Sequence, residues 1–307
     1  MAILIGKHSR IVVQGITGRE AAMIVDHTIN YGTDILAGVT PGKKGQIVSG
    51  VPVYDTMKEA VEMHQVNTSL IVVPPFFALD AVLEAIHNGI KVLVVTTENI
   101  PQTDVLKMLA AAKKHGVYII GPNTAGMVNP DDRIKLGSIG GEFPERTFAP
   151  GNVGVISRSG GMANETSWMV KRAGYGVSTT IGIGGDSLIG TNIKDLLCLF
   201  EQDDDTEAVV TFSEPGTSFE EDAAEFIKSG GFTKPVISYV AGRFTESMPE
   251  GTVFGHAGAM ISGDFGRPSI KMKKLREAGA SVLENYDDMI DVLQQALGSD
   301  KRVNQQQ

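Results

Sequence analysis

Cysteine is almost missing from this sequence: Cys198 is the only one in 307 residues. A single cysteine excludes an internal disulfide and any zinc site built on several thiolates, and it fits a reducing compartment. Cys198 falls at helical spacing in "IKDLLCLF", the setting of a packed residue rather than a nucleophile. Positive charge is also short. The net charge is −9 and the pI about 5.2, which argues against nucleic acid or an anionic membrane as the main partner. No apolar run reaches the roughly 18 residues that would suggest a membrane-spanning helix. The opening "MAILIGKHSR" lacks the long apolar region of an export signal, so a cytoplasmic location is expected. Around His256, in "GTVFGHAGAM", there is no acid, cysteine or second histidine, which excludes a local metal site. The histidines at 8, 27, 64, 87 and 115 sit in helical or terminal patterns and are assigned no role.

What is present is an alternation. Apolar runs near residues 10–15, 34–40, 68–74, 91–97 and 116–122 are separated by helical patterns such as "DAVLEAIHNG" and "TDVLKMLAAAKKHG". This is the signature of parallel α/β units, with strands buried on both faces. Between 126 and 151 the pattern lapses into Gly- and Pro-rich sequence, and a second series of strands follows near 152–161, 177–186, 208–216 and 235–242. The length suits two domains. The expected layout is a Rossmann-like domain at 1–125, a connection at 126–151, a flavodoxin-like doubly wound domain at 152–298 and a disordered tail at 299–307. The two halves show no residue-level repeat.

In the first half, "VVQGITGREAA" sets Gly15, Thr17 and Gly18 directly after the first strand. Backbone N–H groups and a helix N-terminus in that position suit a pyrophosphate. The turn departs from G-x-G-x-x-G, with Thr17 at the second glycine position and no glycine at the third. An NAD site usually carries Asp or Glu after the second strand for the ribose hydroxyls. Here "GVTPGKKG" offers Lys43 and Lys44 instead, which suit a further phosphate, as on the ribose of CoA or NADP. Pro74, Pro75, Thr96, Thr97 and Glu98 end the next two strands, where carboxyl-end loops line a ligand crevice.

In the second half, "SRSGGMANE" carries Ser157, Ser159, Gly160 and Gly161 into a helical pattern, a seat for an oxyanion or phosphate. "GIGGD" and "FSEPG" end the next two strands, the latter at Glu214, and the His256 loop follows the fourth. A neutral imidazole is a good nucleophile towards phosphorus near neutral pH. Gly255, Ala257, Gly258 and Ala259 leave room for a phosphoryl group, and an acceptor such as Glu214 would fix the tautomer.

Taken together, "YGTDILAGVTPGKKG", "GVPVYDTMKEAVE", "GPNTAGMVNP", "VGVISRSGG", "IGIGGD", "EEDAAEFIKSGGFTKPV" and "GHAGAM" resemble the alpha subunit of succinyl-CoA synthetase over nearly the whole chain. The resemblance implies CoA binding through Thr17, Gly18, Arg19, Glu20, Lys43, Pro74, Thr96, Thr97 and Glu98. It implies transient phosphorylation of His256, positioned by Glu214, with Ser159, Gly160 and Gly161 at the phosphate-binding helix. It further implies a separate ATP-grasp beta subunit, in an αβ or α2β2 assembly, that holds ATP or GTP with Mg²⁺. Asn164 stands where the succinate enzymes carry a tyrosine near the acyl group, and "SRSGGM" and "FGHAGA" are similar to the matching regions of ATP-citrate lyase and the citryl-CoA synthetase small subunit. Succinate and a more polar acid such as citrate therefore both stay open. The other classes weighed are a nicotinamide-dependent dehydrogenase and a non-catalytic CoA-binding protein.

Overall fold

The computed structural model describes residues 3–249, 252 and 254–298. Its first seven strands are β1 (Ile11–Gln14), β2 (Ile35–Val39), β3 (Ile47–Val48), β4 (Val51–Tyr54), β5 (Thr68–Ile71), β6 (Val92–Val95) and β7 (Tyr118–Ile120). They form one sheet in the order β3-β4-β2-β1-β5-β6-β7, parallel everywhere except the β3–β4 pair. Helices α1 (Arg19–Tyr31), α2 (Met57–His64), α3 (Ala78–His87) and α4 (Gln102–His115) connect them. Every residue of β1, β5 and β6 is buried, as expected of strands covered on both faces. Alternation along them divides the core. Val12, Ile71 and Leu93 pack with Met57, Ala85 and Met108 of α2, α3 and α4. Ile11, Val13, Leu70 and Val94 point the other way, into a cluster that also takes in Ile156, Leu197 and Val209 of the second sheet. Apolar residues of both sheets thus share one continuous core.

The second sheet comprises β8 (Met127–Asn129), β9 (Ile134–Leu136), β10 (Pro150–Ser157), β11 (Val177–Gly182), β12 (Ala208–Ser213), β13 (Val236–Val240) and β14 (Ser281–Val282), in the order β14-β13-β12-β10-β11-β8-β9. Its helices are α5 (Gly160–Arg172), α6 (Ile193–Glu201), α7 (Phe219–Lys228), α8 (Pro268–Glu277) and α9 (Met289–Leu297). The stretch 126–151, expected as a connection, contributes β8 and β9 to this sheet, β8 antiparallel to β11 and β9 antiparallel to β8. Strands of three residues are too short to register as a period. The tail at 299–307 lies outside the described residues.

Both sheets reverse direction of winding once. From β1 the chain moves to β2 on one side and later to β5 on the other; from β10 it moves to β11 and then to β12. At each reversal the flanking loops splay apart beyond the carboxyl ends of the strands, which opens a crevice for a ligand. No helix among the described residues is long and apolar enough to cross a membrane.

Candidate active site

A cavity of about 770 Å³ lies at the first reversal, beyond β1, β2 and β5, lined by Gln14, Gly15, Thr17, Gly18, Thr40 and Pro74 among others. Gly15 makes the turn possible. Its φ of +81° is left-handed, and a Cβ would fall 2.9 Å from Val73 Cγ1 as well as striking the Val72 carbonyl. Gly18 is the N-cap of α1, and no side chain takes up the helix's first N–H groups, so they are available to an anion. Arg19 and Glu20 are exposed on the first turn of α1 and do not line the cavity. Thr96 and Thr97 commit their hydroxyls to the neighbouring strand, donating to Ile71 O at 3.2 Å and Val73 O at 2.8 Å. Glu98 is exposed, and none of these three reaches the cavity wall.

The two lysines after β2 differ. Lys44 Nζ pairs with Glu59 at 2.6 Å. Lys43 is exposed and makes no ion pair among the described residues, which leaves its ammonium free for a ligand phosphate. The backbone N–H groups of both donate to Asp55 Oδ1, at 2.9 and 3.0 Å. Asp55 therefore holds the lysine turn. Gln14, Asp55, Asp80 and Glu84 all line the cavity and were not foreseen, because each sits inside a strand, turn or helix pattern that packing alone would explain.

At the second reversal the loops after β10, β11 and β12 converge with the 254–267 segment. Glu214, directly after β12, lies 2.6 Å from His256 through Oε2 and Nδ1. Glu214 is 13% exposed and His256 34%, so the carboxylate is sunk while the ring keeps one side open. The hydrogen bond from Glu214 raises the imidazole pKa above its ordinary value; burial and the Arg158 guanidinium oppose the rise, and Asp186 adds to it. The ring rests on Gly185, where a Cβ would stand 2.5 Å from His256 Cγ. Gly258 N donates to Gly185 O at 3.0 Å, which ties the histidine segment to the loop after β11. Gly216 N likewise donates to Gly266 O at 2.8 Å, securing the far end of that segment. Here the glycines are mostly close-approach positions. Gly255 and Gly263 have open space around them.

Ser159 caps α5, its Oγ accepting from Met162 N at 3.4 Å. The two glycines that follow are not equivalent. A Cβ on Gly160 would meet Ala125 Cβ at 2.6 Å, so that position is fixed by packing, whereas at Gly161 nothing lies closer than Ser159 Oγ at 4.0 Å. Asn164, one turn along, spends its amide internally: Oδ1 accepts from Gly140 N at 2.8 Å and Nδ2 donates to Gly160 O at 3.0 Å. Its side chain shapes the 138–141 turn. Asn123 Nδ2 donates to Asp186 Oδ1 at 2.9 Å, which ties the first half of the chain to the loop after β11 at this site. Cys198 is half-buried on the flank of α6 rather than in the core, and burial pushes its thiol pKa up.

The chain thus gathers Thr17, Gly18 and Pro74 around one crevice and His256 with Glu214 at the other, near the α5 N-terminus. Among known families, a CoA binding domain matches residues 6–99 and a CoA-ligase domain residues 156–281. A succinate–CoA ligase [ADP-forming] subunit alpha 2 from Archaeoglobus fulgidus is 48% identical over 92% of this chain and 95% of that protein. An ADP-forming sulfoacetate-CoA ligase subunit from an Acholeplasma species is 40% identical over 92% of this chain and 94% of its own length. The Methanosaeta concilii ATP citrate lyase, solved with (3S)-citryl-CoA, superposes with a TM-score of 0.88 at 25% identity, over 96% of this chain. This chain spans only 50% of that one.

Proposed function

The chain belongs to the family of ADP-forming succinate–CoA ligase alpha subunits, and from that premise we propose how its two crevices divide the work of a carboxylate–CoA ligase. The first crevice takes CoA, with phosphate at Thr17, Gly18 and the α1 N-terminus and a further phosphate at Lys43. The second carries phosphate on His256. The observation that supports this reading most strongly is the 2.6 Å contact between His256 Nδ1 and Glu214. It keeps the proton on Nδ1 and leaves Nε2 with a free lone pair, the state a nucleophile needs.

In the acyl-transferring direction the carboxylate is activated as an acyl phosphate. CoA sulfur attacks its carbonyl carbon, the C–S bond forms, the C–O bond to phosphate breaks, and inorganic phosphate leaves. In the reverse direction His256 Nε2 attacks the phosphorus of the acyl phosphate; an N–P bond forms, the P–O bond breaks and the carboxylate departs. Phosphohistidine then passes the phosphoryl group to a nucleoside diphosphate. The nucleotide and its Mg²⁺ are assigned to an ATP-grasp beta subunit. Among the described residues no cluster of three or more His, Cys, Asp or Glu side chains is placed to hold a metal ion.

The acid activated carries a second acidic group, a feature common to the substrates named for the relatives. Asn164 narrows the choice by shaping the 138–141 turn rather than by presenting a free amide. The dehydrogenase alternative needs a carboxylate free for ribose hydroxyls. Asp55, at the crevice, is already spent on the N–H groups of Lys43 and Lys44.

The test is co-purification with the beta partner, followed by γ-labelled ATP and a panel of succinate, sulfoacetate and citrate scored by CoA-dependent ADP release. Labelling is expected on the wild type and lost in His256→Asn. Labelling that survives in His256→Asn would defeat the phosphohistidine reading.

A further inference from the structure

Arg158 follows β10 directly and is only 1% exposed. Its Nη1 donates to Pro215 O at 3.0 Å and to Thr217 Oγ1 at 3.3 Å, holding the turn that begins at Glu214. Its Nε and Nη2 are buried and have no hydrogen-bond partner. No carboxylate lies within ion-pair distance of it among the described residues. The nearby buried acids are taken: Lys271 Nζ binds Glu220 at 2.5 Å and Glu221 at 2.8 Å. A buried guanidinium with two idle donors is costly, and proteins ordinarily pair such a charge. Nη2 lies against Gly258, two residues after His256, so closely that a Cβ there would approach it to 2.5 Å. The idle donor is therefore under the segment that bears the imidazole.

We propose that Arg158 is the counter-charge for the phosphorylated state of His256, a positioning residue whose unspent positive charge is balanced when the phosphoryl group arrives. This rests on the phosphohistidine reading above. Before phosphorylation the groups facing the imidazole are Glu214 after β12, Asp186 after β11 and Arg158 after β10. Two of these are anionic and the third is held back by backbone and hydroxyl contacts. A phosphoryl group on Nε2 brings up to two negative charges, and Arg158 is the one cation among those groups. The same side chain fixes Pro215, so it sets Glu214 against Nδ1 as it stabilises the product.

The test uses the full chain and potassium phosphoramidate, which needs no partner subunit. Nε2 attacks phosphorus, the N–P bond forms, the P–N bond of the donor breaks and ammonia leaves; the proton stays on Nδ1, donated to Glu214. Phosphohistidine is followed by ³¹P NMR, and the free imidazole is titrated by ¹⁵N NMR, in wild type, Arg158→Met, Arg158→Lys and His256→Asn. In Arg158→Met the phosphohistidine lifetime is expected to fall about tenfold and the His256 pKa to rise, because a repelling charge is gone. Arg158→Lys retains the charge and is expected to keep most of the lifetime. If Arg158 only held the turn, its loss would loosen Glu214 and the His256 pKa would fall; that result, or an unchanged lifetime in Arg158→Met, overturns the proposal. Should Arg158→Met not fold, Arg158→Gln is read by the same criteria. Failure of the wild type to label, or labelling of His256→Asn equal to wild type, defeats instead the reading on which the proposal rests.

Discussion

Gly185→Ala tests the geometry around His256 with the smallest possible change. Gly185 is not in the left-handed region, so alanine can adopt its backbone conformation without strain. The added methyl would nonetheless stand 2.5 Å from Cγ, 2.6 Å from Cδ2 and 2.8 Å from Nδ1 of His256, where ordinary contact begins at 3.4 Å. The ring must therefore move by about 0.9 Å. It has room to do so, because its other side is open to solvent, and the cost in stability stays within the ~1–3 kcal/mol typical of overpacking. The reactive nitrogen moves with the ring. A misplacement of about 1 Å in a reacting group can cost on the order of 100-fold in rate. Phosphorylation of His256 by ATP and the beta partner, followed by rapid quench, should slow by roughly that factor, while thermal unfolding confirms that the chain is folded. A folded Gly185→Ala chain phosphorylated at the wild-type rate would refute the idea that the ring rests on Gly185.

Three further outcomes follow from contacts already described. Glu214→Gln removes the group that raises the His256 pKa, so the acid limb of the pH–rate profile for phosphorylation should move to lower pH. The sign is fixed by the direction of the shift: a histidine with a raised folded pKa is protonated, and unreactive at Nε2, over more of the acid range, and the salt-bridge stability it gains is present below the unfolded pKa and lost as pH rises through the folded value. Lys43→Ala should raise KM for CoA severalfold and leave kcat near wild type, whereas Lys44→Ala, which breaks an exposed pair with Glu59, should change neither by more than about twofold; steady-state kinetics in CoA decides. Lys271→Met leaves Glu220 and Glu221 buried together without their cation and should destabilise the fold by about 3–5 kcal/mol, measured by chemical denaturation.

The alternating architecture could be read in the sequence because apolar strands buried on both faces and Gly-ended helices leave a strong local trace. β3, β8, β9 and β14 could not, since none of them lies in an extended apolar run of the kind that marks β7. His256 and Glu214 were legible as candidates because a histidine in a glycine bed and an acid at a strand end are unusual locally. Convergence of the strand ends on one edge suggested their pairing, and the fold brings them to 2.6 Å across 42 residues of sequence. Gly258 looked like clearance for a phosphoryl group, yet it marks where the Arg158 side chain presses on the backbone, as His256 does on Gly185. Arg158 in "SRSGG" drew no attention, because nothing in a linear pattern distinguishes a buried, unpaired guanidinium from an exposed one. Thr96 and Thr97 show a contact no linear pattern reveals: both hydroxyls donate to backbone carbonyls after or within the neighbouring strand.

The two reversals of winding give the molecule a property that neither crevice has alone. Each stands at the mouth of its own sheet, with its own strand ends and its own helix N-terminus. Damage to one crevice need not disarm the other. A chain that can no longer hold the thiol carrier should still exchange phosphate with nucleotide, and one without its imidazole should still sequester the carrier. Selection can then retune the acid accepted while leaving the phosphate chemistry inherited intact, a division suited to a lineage whose members act on different acids.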